Sequence, residues 1–363
     1  MIELQVQDID SVSSVVEQVH APMYSVQYIP SIYNFVSQGV FHSKTPGLTV
    51  RSTHGNAIIT PYSDIVQIGG DCIYGKILRQ TAEKNIFTDK NLIHANAESL
   101  QIQIKDPVIA GKLTKGYSML GAASSHWGHF ICEYYPSFLA TLPTLADDVV
   151  IIIPANYDAI QIALIKFALD FHAKNNPVYY CPTDQSVLVE QLYISEKASF
   201  LSDHADWISI YDTIIQDFCH TELSKFTRSN ATTAGDPGHE KIFLTRRGLY
   251  RNVSNIDEVE IYFKANGYTV LDPGELSHAD RIKLFSGCKE LSGIYSSAFF
   301  NLIYCPHVER VKIIAPFVRC IDQIYLNIFR PDQFSFYIAD SCDKGIHPNV
   351  KISAETCENL VGS

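Results

Sequence analysis

No stretch of this chain approaches 18 consecutive apolar residues, so nothing in it reads as a membrane-spanning helix. It has no Cys-x-x-Cys pair. Its nine cysteines (Cys72, Cys132, Cys181, Cys219, Cys288, Cys305, Cys320, Cys342 and Cys357) are odd in number and widely scattered. That pattern indicates neither a zinc knuckle nor a dense disulfide framework, and a reducing compartment is the default expectation. A basic excess is missing too: 39 acidic residues stand against 28 basic ones, a formal net charge of −11. Nucleic acid is therefore not the expected partner. A phosphate-bearing small ligand stays open, since one or two arginines and some backbone N–H groups can hold it. The opening residues MIELQVQDIDSV carry acids where a signal peptide carries bases and then an apolar run. A cytoplasmic location is expected, with room for peripheral association at the inner face of the membrane. No internal repeat of solenoid length occurs.

What is present belongs to a folded protein. Hydrophobic residues make up 46% and charged residues 18%, with 20 Tyr and 19 Phe, which excludes intrinsic disorder. A chain of 363 residues is long enough for two hydrophobic cores.

The first hundred residues contain short runs such as Ala57–Thr60 and Ile65–Ile68, cut by Gly and Pro, and read as a small β-rich region. A helical period begins near Ser124. Asp148–Pro154 is then an apolar run of strand length, 157–172 has helical spacing, and Pro177–Cys181 is a strand. Strand, helix, strand is the signature of a parallel sheet covered on both faces. The segment RSNATTAGDPGH, residues 228–239, has no apolar period and reads as a linker. It divides an N-terminal α/β domain, 1–230, from a C-terminal Rossmann-like domain, 240–363. In the latter, strands are expected at 241–245, 268–271, 290–295, 311–315 and 334–338. Helices are expected at 256–265, 277–287, 298–304, near 320–329 and at 352–361. Ligands of open parallel sheets sit beyond the carboxyl ends of the strands, so the expected site is a cleft between the two domains.

Two segments could carry chemistry. In Ser124-Ser125-His126-Trp127-Gly128-His129-Phe130-Ile131-Cys132-Glu133-Tyr134-Tyr135-Pro136 the serines suggest an N-cap. On a helix, His126, His129 and Glu133 fall on one face, while Trp127, Phe130, Ile131 and Tyr134 pack as core. Pro136 should kink or end that helix just after Glu133. A carboxylate one turn from an imidazole is a candidate general base; the alternative is a surface helix pair. The second segment, Thr245 to Glu258, comes after the first strand beyond the linker. Arg246, Arg247 and Arg251 there could clamp a diphosphate, or could lie in a solvated loop. Asn255 and Glu258 have capping-box spacing and could simply start the next helix. Further on, Ser296 and Ser297 lead from a strand into a helical run ending at Asn301. That is either an anion site or a plain N-cap.

These segments, in this order, resemble glycosyltransferase family 61. The first motif is matched by Ser125, His126, Trp127, His129, Glu133 and Pro136, and the second by Arg246, Arg247, Arg251, Asn255 and Glu258. Gly267 to Val270 resembles the family's turn and strand, and Pro273 to Phe285 the family's next helix. The last motif usually reads Gly-x-His-Gly-Ala-Gly-Leu-x-Asn. Here Gly293 and Asn301 match, while Tyr295, Ser296 and Ser297 stand where the central His and small residues would be. The resemblance covers about residues 120 to 316. It implies a GT-B fold, with two facing Rossmann-like domains, parallel sheets and an interdomain cleft. It also implies inverting transfer from a nucleotide-sugar to an oligosaccharide or lipid-linked glycan, of the capsule or lipopolysaccharide type. In that scheme Glu133 or His129 is the base, and Arg246, Arg247, Arg251, Ser296, Ser297, Asn301 and Glu258 serve the donor. His126, Trp127 and Tyr295 are acceptor-side or supporting residues. No metal or other cofactor is required, and the lone Asp-x-Asp, Asp8-Ile9-Asp10, reads as surface. Two rival readings stand beside this one: a non-catalytic glycan-binding scaffold, and another polysaccharide-assembly transferase of pyruvyl or phosphoglycosyl type.

Overall fold

A computed structural model describes residues 1–7, 9–19, 31–33, 48–74, 89–96, 98–196, 239–247, 252–305, 307–315, 334–341 and 349–362. The linker expected at 228–239 lies outside them as far as residue 238. Arg251, Asp8 and the helix expected near 320–329 also lie outside the described residues.

The chain forms two compact units, Met1–Met23 with Lys44–Ile214, and Tyr24–Ser43 with Ile215–Ser363. The second unit thus takes in a piece of chain from before residue 44, where the sequence suggested one unbroken domain over 1–230.

The first unit is built on a mixed sheet. Its strands are β1 (Ile2–Val6), β2 (Ser13–Val19), β4 (Leu48–Thr53), β5 (Ala57–Ile59), β6 (Val66–Ile68), β7 (Asp71–Ile73), β8 (Leu92–Asn96), β9 (Gln101–Ile104), β10 (Ile109–Ser118), β11 (Val150–Pro154), β12 (Val178–Cys181) and β13 (Ser186–Glu196). Their order is β12-β11-β10-β13-β5-β6-β7-β1-β9-β8, with β4 also on β13 and β2 on β4. The block β12-β11-β10-β13 is parallel. The strands beyond it pair antiparallel except β1 with β7. The parallel sheet expected in this unit is present as that four-stranded block, and the β-rich region of the first hundred residues extends it with mostly antiparallel strands. Short strands joined by tight turns can return only antiparallel, whereas parallel neighbours need crossovers of helical length. One such crossover, the helix Ala159–Phe171, opens with a full capping box between Asp158 and Gln161.

The second unit carries a wholly parallel sheet. Its strands are β3 (Ser31–Tyr33), β14 (Lys241–Leu244), β15 (Thr269–Leu271), β16 (Glu290–Ile294), β17 (Arg310–Ala315) and β18 (Phe334–Ile338), in the order β15-β14-β16-β17-β18-β3. The helices Ile256–Ala265 and His278–Phe285 connect its strands, and Ala354–Gly362 closes the chain. Apolar runs such as IFL and VKIIA are buried along most of their length, as strands covered on both faces require. Phe243 and Phe263 stack at 4.0 Å between centroids in this core. Each fully buried ring contributes on the order of 2 kcal/mol.

At the amino ends of these strands lies a buried ionic cluster. Glu290 accepts from the Lys312 ammonium at 2.9 Å, from Arg310 at 3.0 Å and from the Tyr268 hydroxyl. Glu290 and Lys312 side chains are each 3% exposed. Burial pulls the Lys312 ammonium below its ordinary range, and Glu290 works against that.

Candidate functional site

In the first unit, β10 runs into a loop, 119–126, which leads to a helix. His126 and His129 thereby stand beyond the carboxyl end of a strand flanked by two parallel neighbours, the usual ligand-binding edge of such sheets. Buried contacts fix the loop. Met119 N–H donates to Ile152 O at 2.9 Å, and the Tyr157 hydroxyl donates to Met119 O at 3.2 Å. The Gln161 amide reaches Ser124 O and Ser125 O, both at 3.5 Å.

The helix starts differently from the sequence expectation. Its N-cap is His126, without a side-chain cap bond. Ser124 is buried and turns its hydroxyl back to Gly121 O at 2.9 Å, closing the preceding turn. Nor does Pro136 end the helix. Trp127–His129 is α-helical, Phe130–Tyr134 forms a π-turn closed by Tyr135 N–H to Phe130 O, and Tyr135–Thr141 is α-helical again. In an α-helix the N–H that Pro136 lacks would have served Cys132 O. The wider turn shifts the hydrogen-bond register just ahead of the proline, so the helix passes through it. π-turns of this kind are frequent at functional sites.

Glu133 lies in the π-turn, and its side chain falls outside what is described. His126 is exposed and His129 half-buried, their rings edge to face at 5.5 Å. Phe130 is fully buried, stacked on Trp127 at 6.2 Å and Tyr135 at 5.5 Å, with Tyr157 edge-on at 5.3 Å. This aromatic knot anchors the start of the π-turn while leaving the histidine edge toward solvent.

In the second unit, β14 and β16 are adjacent and in register, Leu244 beside Gly293. The residues just past each strand therefore meet at one edge: Thr245-Arg246-Arg247 after β14, and Tyr295-Ser296-Ser297 after β16. Gly293 has φ +155°, and a Cβ there would stand 2.5 Å from Leu244 O, so only glycine lets the two strands approach. Ser296 caps the 3-10 helix Ser297–Tyr304, its hydroxyl accepting from Ala298 N–H at 3.3 Å. Asn301 is 1% exposed and donates its amide to Ala298 O at 2.8 Å, which makes it a brace inside this helix. Tyr295 and Ser297 are half-buried.

The arginines divide. Arg247 is engaged by the helix Ile256–Ala265: Nη2 meets Asp257 at 2.5 Å and Glu260 at 3.1 Å, and Nε donates to Glu260 at 3.2 Å. Glu260 also accepts from the Thr245 hydroxyl at 2.6 Å. Burial works to raise the Glu260 carboxyl, but the bonds from Arg247 and Thr245 outweigh it and hold the group below its ordinary range. Arg246 is half-buried at the strand end itself. The capping box expected from Asn255 and Glu258 is not formed. Asn255 pairs instead with the backbone of Ile352, donating to its carbonyl at 2.8 Å and accepting its N–H at 3.1 Å, while Glu258 is exposed on the first helical turn. Glu260 escaped the sequence reading because it acts on the strand end from the flank of a helix, where the local pattern marks only an amphipathic face; Gln161 has capping-box spacing from Asp158, but its reach to Ser124 O and Ser125 O comes only from the fold.

The family model described as Glycosyltransferase 61 matches residues 127–311, just over half of the chain, and takes in the first motif from Trp127 onward and all of the other two. No curated protein matches the chain.

Proposed function

The chain belongs to glycosyltransferase family 61, and we propose that it is an inverting enzyme moving a sugar from a nucleotide-sugar donor to a hydroxyl of a glycan acceptor. Glycosyl transfer is its activity; the inversion, the donor and a role in surface polysaccharide synthesis are our reading. The observation that carries it is the register of β14 and β16, which brings the segments holding Arg246 and Ser297 to the same carboxyl edge of two adjacent parallel strands. In the first unit the segment holding His129 and Glu133 comes after the carboxyl end of β10 in the same way.

In this mechanism Glu133 takes the proton from the acceptor hydroxyl as that oxygen attacks the anomeric carbon, with His129 orienting it or serving in its place. The sugar–phosphate bond breaks on the opposite side, and the departing diphosphate takes up the bonding electron pair. Arg246 and the Ser297 hydroxyl stabilise its charge. Arg247, paired with Glu260 and Asp257, positions the strand end that bears Arg246. A GT-B arrangement, with acceptor and donor halves across a cleft, belongs to the same proposal, as does work at the cytoplasmic face of a membrane. Among the described residues, no helix is long and apolar enough to cross one.

Arg246→Ala is expected to weaken nucleotide diphosphate binding by roughly ten- to a hundredfold, the worth of hydrogen bonds to a charged group. Calorimetric titration of both proteins with UDP, CDP, GDP and CMP measures it. Equal affinities would remove Arg246 from the donor site. Because an arginine carries the leaving-group charge in this scheme, transfer is expected to survive excess EDTA. Complete loss on chelation, restored by Mg²⁺ or Mn²⁺, would overturn that part of the reading.

A further inference from the structure

We propose that Asp64 is a positioning residue for glycosyl transfer, holding Tyr134 and thereby fixing the π-turn that carries Glu133. The proposal rests on Glu133 acting as the base.

Asp64 lies in the connection between β5 and β6, in the same compact unit as the π-turn but 70 residues from Tyr134. Its own loop is held firmly. Asp89, 2% exposed, accepts the Asp64 N–H at 2.8 Å, the Ser63 hydroxyl at 3.0 Å, and the N–H groups of Asn91 at 3.0 Å and Leu92 at 3.3 Å. Lys90 N–H donates to Tyr62 O at 3.1 Å, and the Lys90 ammonium lies 3.7 Å from the Tyr62 ring centroid. Burial first, and then the facing charge of Asp64, push the Asp89 carboxyl up to about 6. Two carboxylates so close repel, and they stay together because donors from the surrounding loops satisfy them.

This rigid stretch presents the Asp64 carboxylate to the site segment. Its Oδ1 accepts the Ala122 N–H at 3.2 Å and the Tyr134 hydroxyl at 3.3 Å. Tyr134 is buried, and its hydroxyl lies where a Cβ on residue 121 would be, 2.1 Å away, so the bare backbone of Gly121 is needed to seat it. The π-turn is thus pinned at both ends, by the Phe130 aromatic knot and by the Asp64 grip on Tyr134. Residues between the pins, Glu133 among them, take their place from the two. A π-turn is rare enough to need such tertiary support. Loss of the grip would cost little stability but would shift the base, and a displacement of about 1 Å at reacting groups can cost on the order of a hundredfold in rate.

Four variants test this: Asp64→Ala, Asp64→Asn, Tyr134→Phe and the Asp64→Ala/Tyr134→Phe pair. Each is compared with wild type and Glu133→Gln for kcat, donor KM and melting temperature. Asp64→Ala is expected to lower kcat roughly ten- to a hundredfold with donor KM within about twofold. Asp64→Asn keeps an oxygen acceptor and should restore most of the rate. Tyr134→Phe should reproduce the loss, and the pair should lose little more than either single change. The chain has two tryptophans, so in a Trp207→Phe background Trp127 reports on the segment alone. Its emission maximum should move on Asp64→Ala. A lowered melting temperature with unchanged kcat in Asp64→Ala and Tyr134→Phe would show a purely structural bond and overturn the proposal, as would unchanged Trp127 emission. Wild-type turnover in Glu133→Gln would instead remove the base assignment by itself. The Trp127 emission and the Asp64→Asn rescue would then still decide whether Asp64 sets the segment.

Discussion

Glu133→Gln is expected to fold and bind donor like the wild type while its kcat falls by about 10² to 10⁴, the usual worth of a positioned acid or base. Glutamine keeps the shape and an acceptor oxygen but has no basicity, so the loss should fall on the chemical step and leave ground-state binding alone. Glu133 lies in a π-turn of the helix that follows β10, with the half-buried His129 one turn before it. His129→Ala separates the two roles. A loss as severe as that of Glu133→Gln makes the imidazole part of the proton transfer; a variant keeping residual activity makes it an orienting group. Turnover at saturating donor and acceptor, beside the melting temperature, is the measurement. A Glu133→Gln enzyme within about twofold of wild-type kcat would take the carboxylate out of the mechanism and leave His129 as the base.

The largest effect on stability is expected at Glu290. Its carboxylate is the shared partner of Lys312, Arg310 and Tyr268 at the amino ends of the second unit's strands. Glu290→Ala leaves the Lys312 ammonium buried without its counter-charge, held by the Leu360 carbonyl at 2.6 Å. Removing one partner of a buried pair costs about 3–5 kcal/mol, more than the pair itself contributes, because the remaining charge is stranded. Replacing both, as Glu290→Leu with Lys312→Met, should recover much of that loss. Urea denaturation of the single and double variants measures this through the unfolding midpoint. A Glu290→Ala midpoint equal to wild type would mean that water reaches Lys312. Since the cluster lies at the strand ends opposite Arg246, the double variant should keep its nucleotide affinity.

Much of the second unit was legible in the sequence. The helix Ile256–Ala265 falls where its apolar spacing placed it, and strands β14 to β18 begin and end within a residue or two of their apolar runs. Strands covered on both faces must be apolar throughout, so burial writes itself directly into the sequence. In the first unit the same rule found β11, but it missed β10. That strand, IAGKLTKGYS, contains two glycines and two lysines, and its first half is largely exposed or half-exposed. Its place among the parallel strands comes from pairing to β11 and β13.

Composition and local pattern by themselves determined the class of protein, the parallel character of the second unit and the segments that carry its motifs. These features depend on burial and on bonds reaching four or five residues along the chain. The tertiary structure decided how individual side chains in those segments are used. Asn255 had the spacing of a helix cap, but its amide is taken by Ile352, 97 residues away. Arg247 and Arg246 are equivalent in sequence, yet the Glu260 carboxylate engages Arg247 at 3.1 Å. Pro136 was expected to kink or end its helix, and a π-turn gripped at Phe130 and Tyr134 carries the chain through it. In the first two cases a side chain with several available partners met the one that tertiary packing brought within hydrogen-bond reach, which no spacing along the chain specifies.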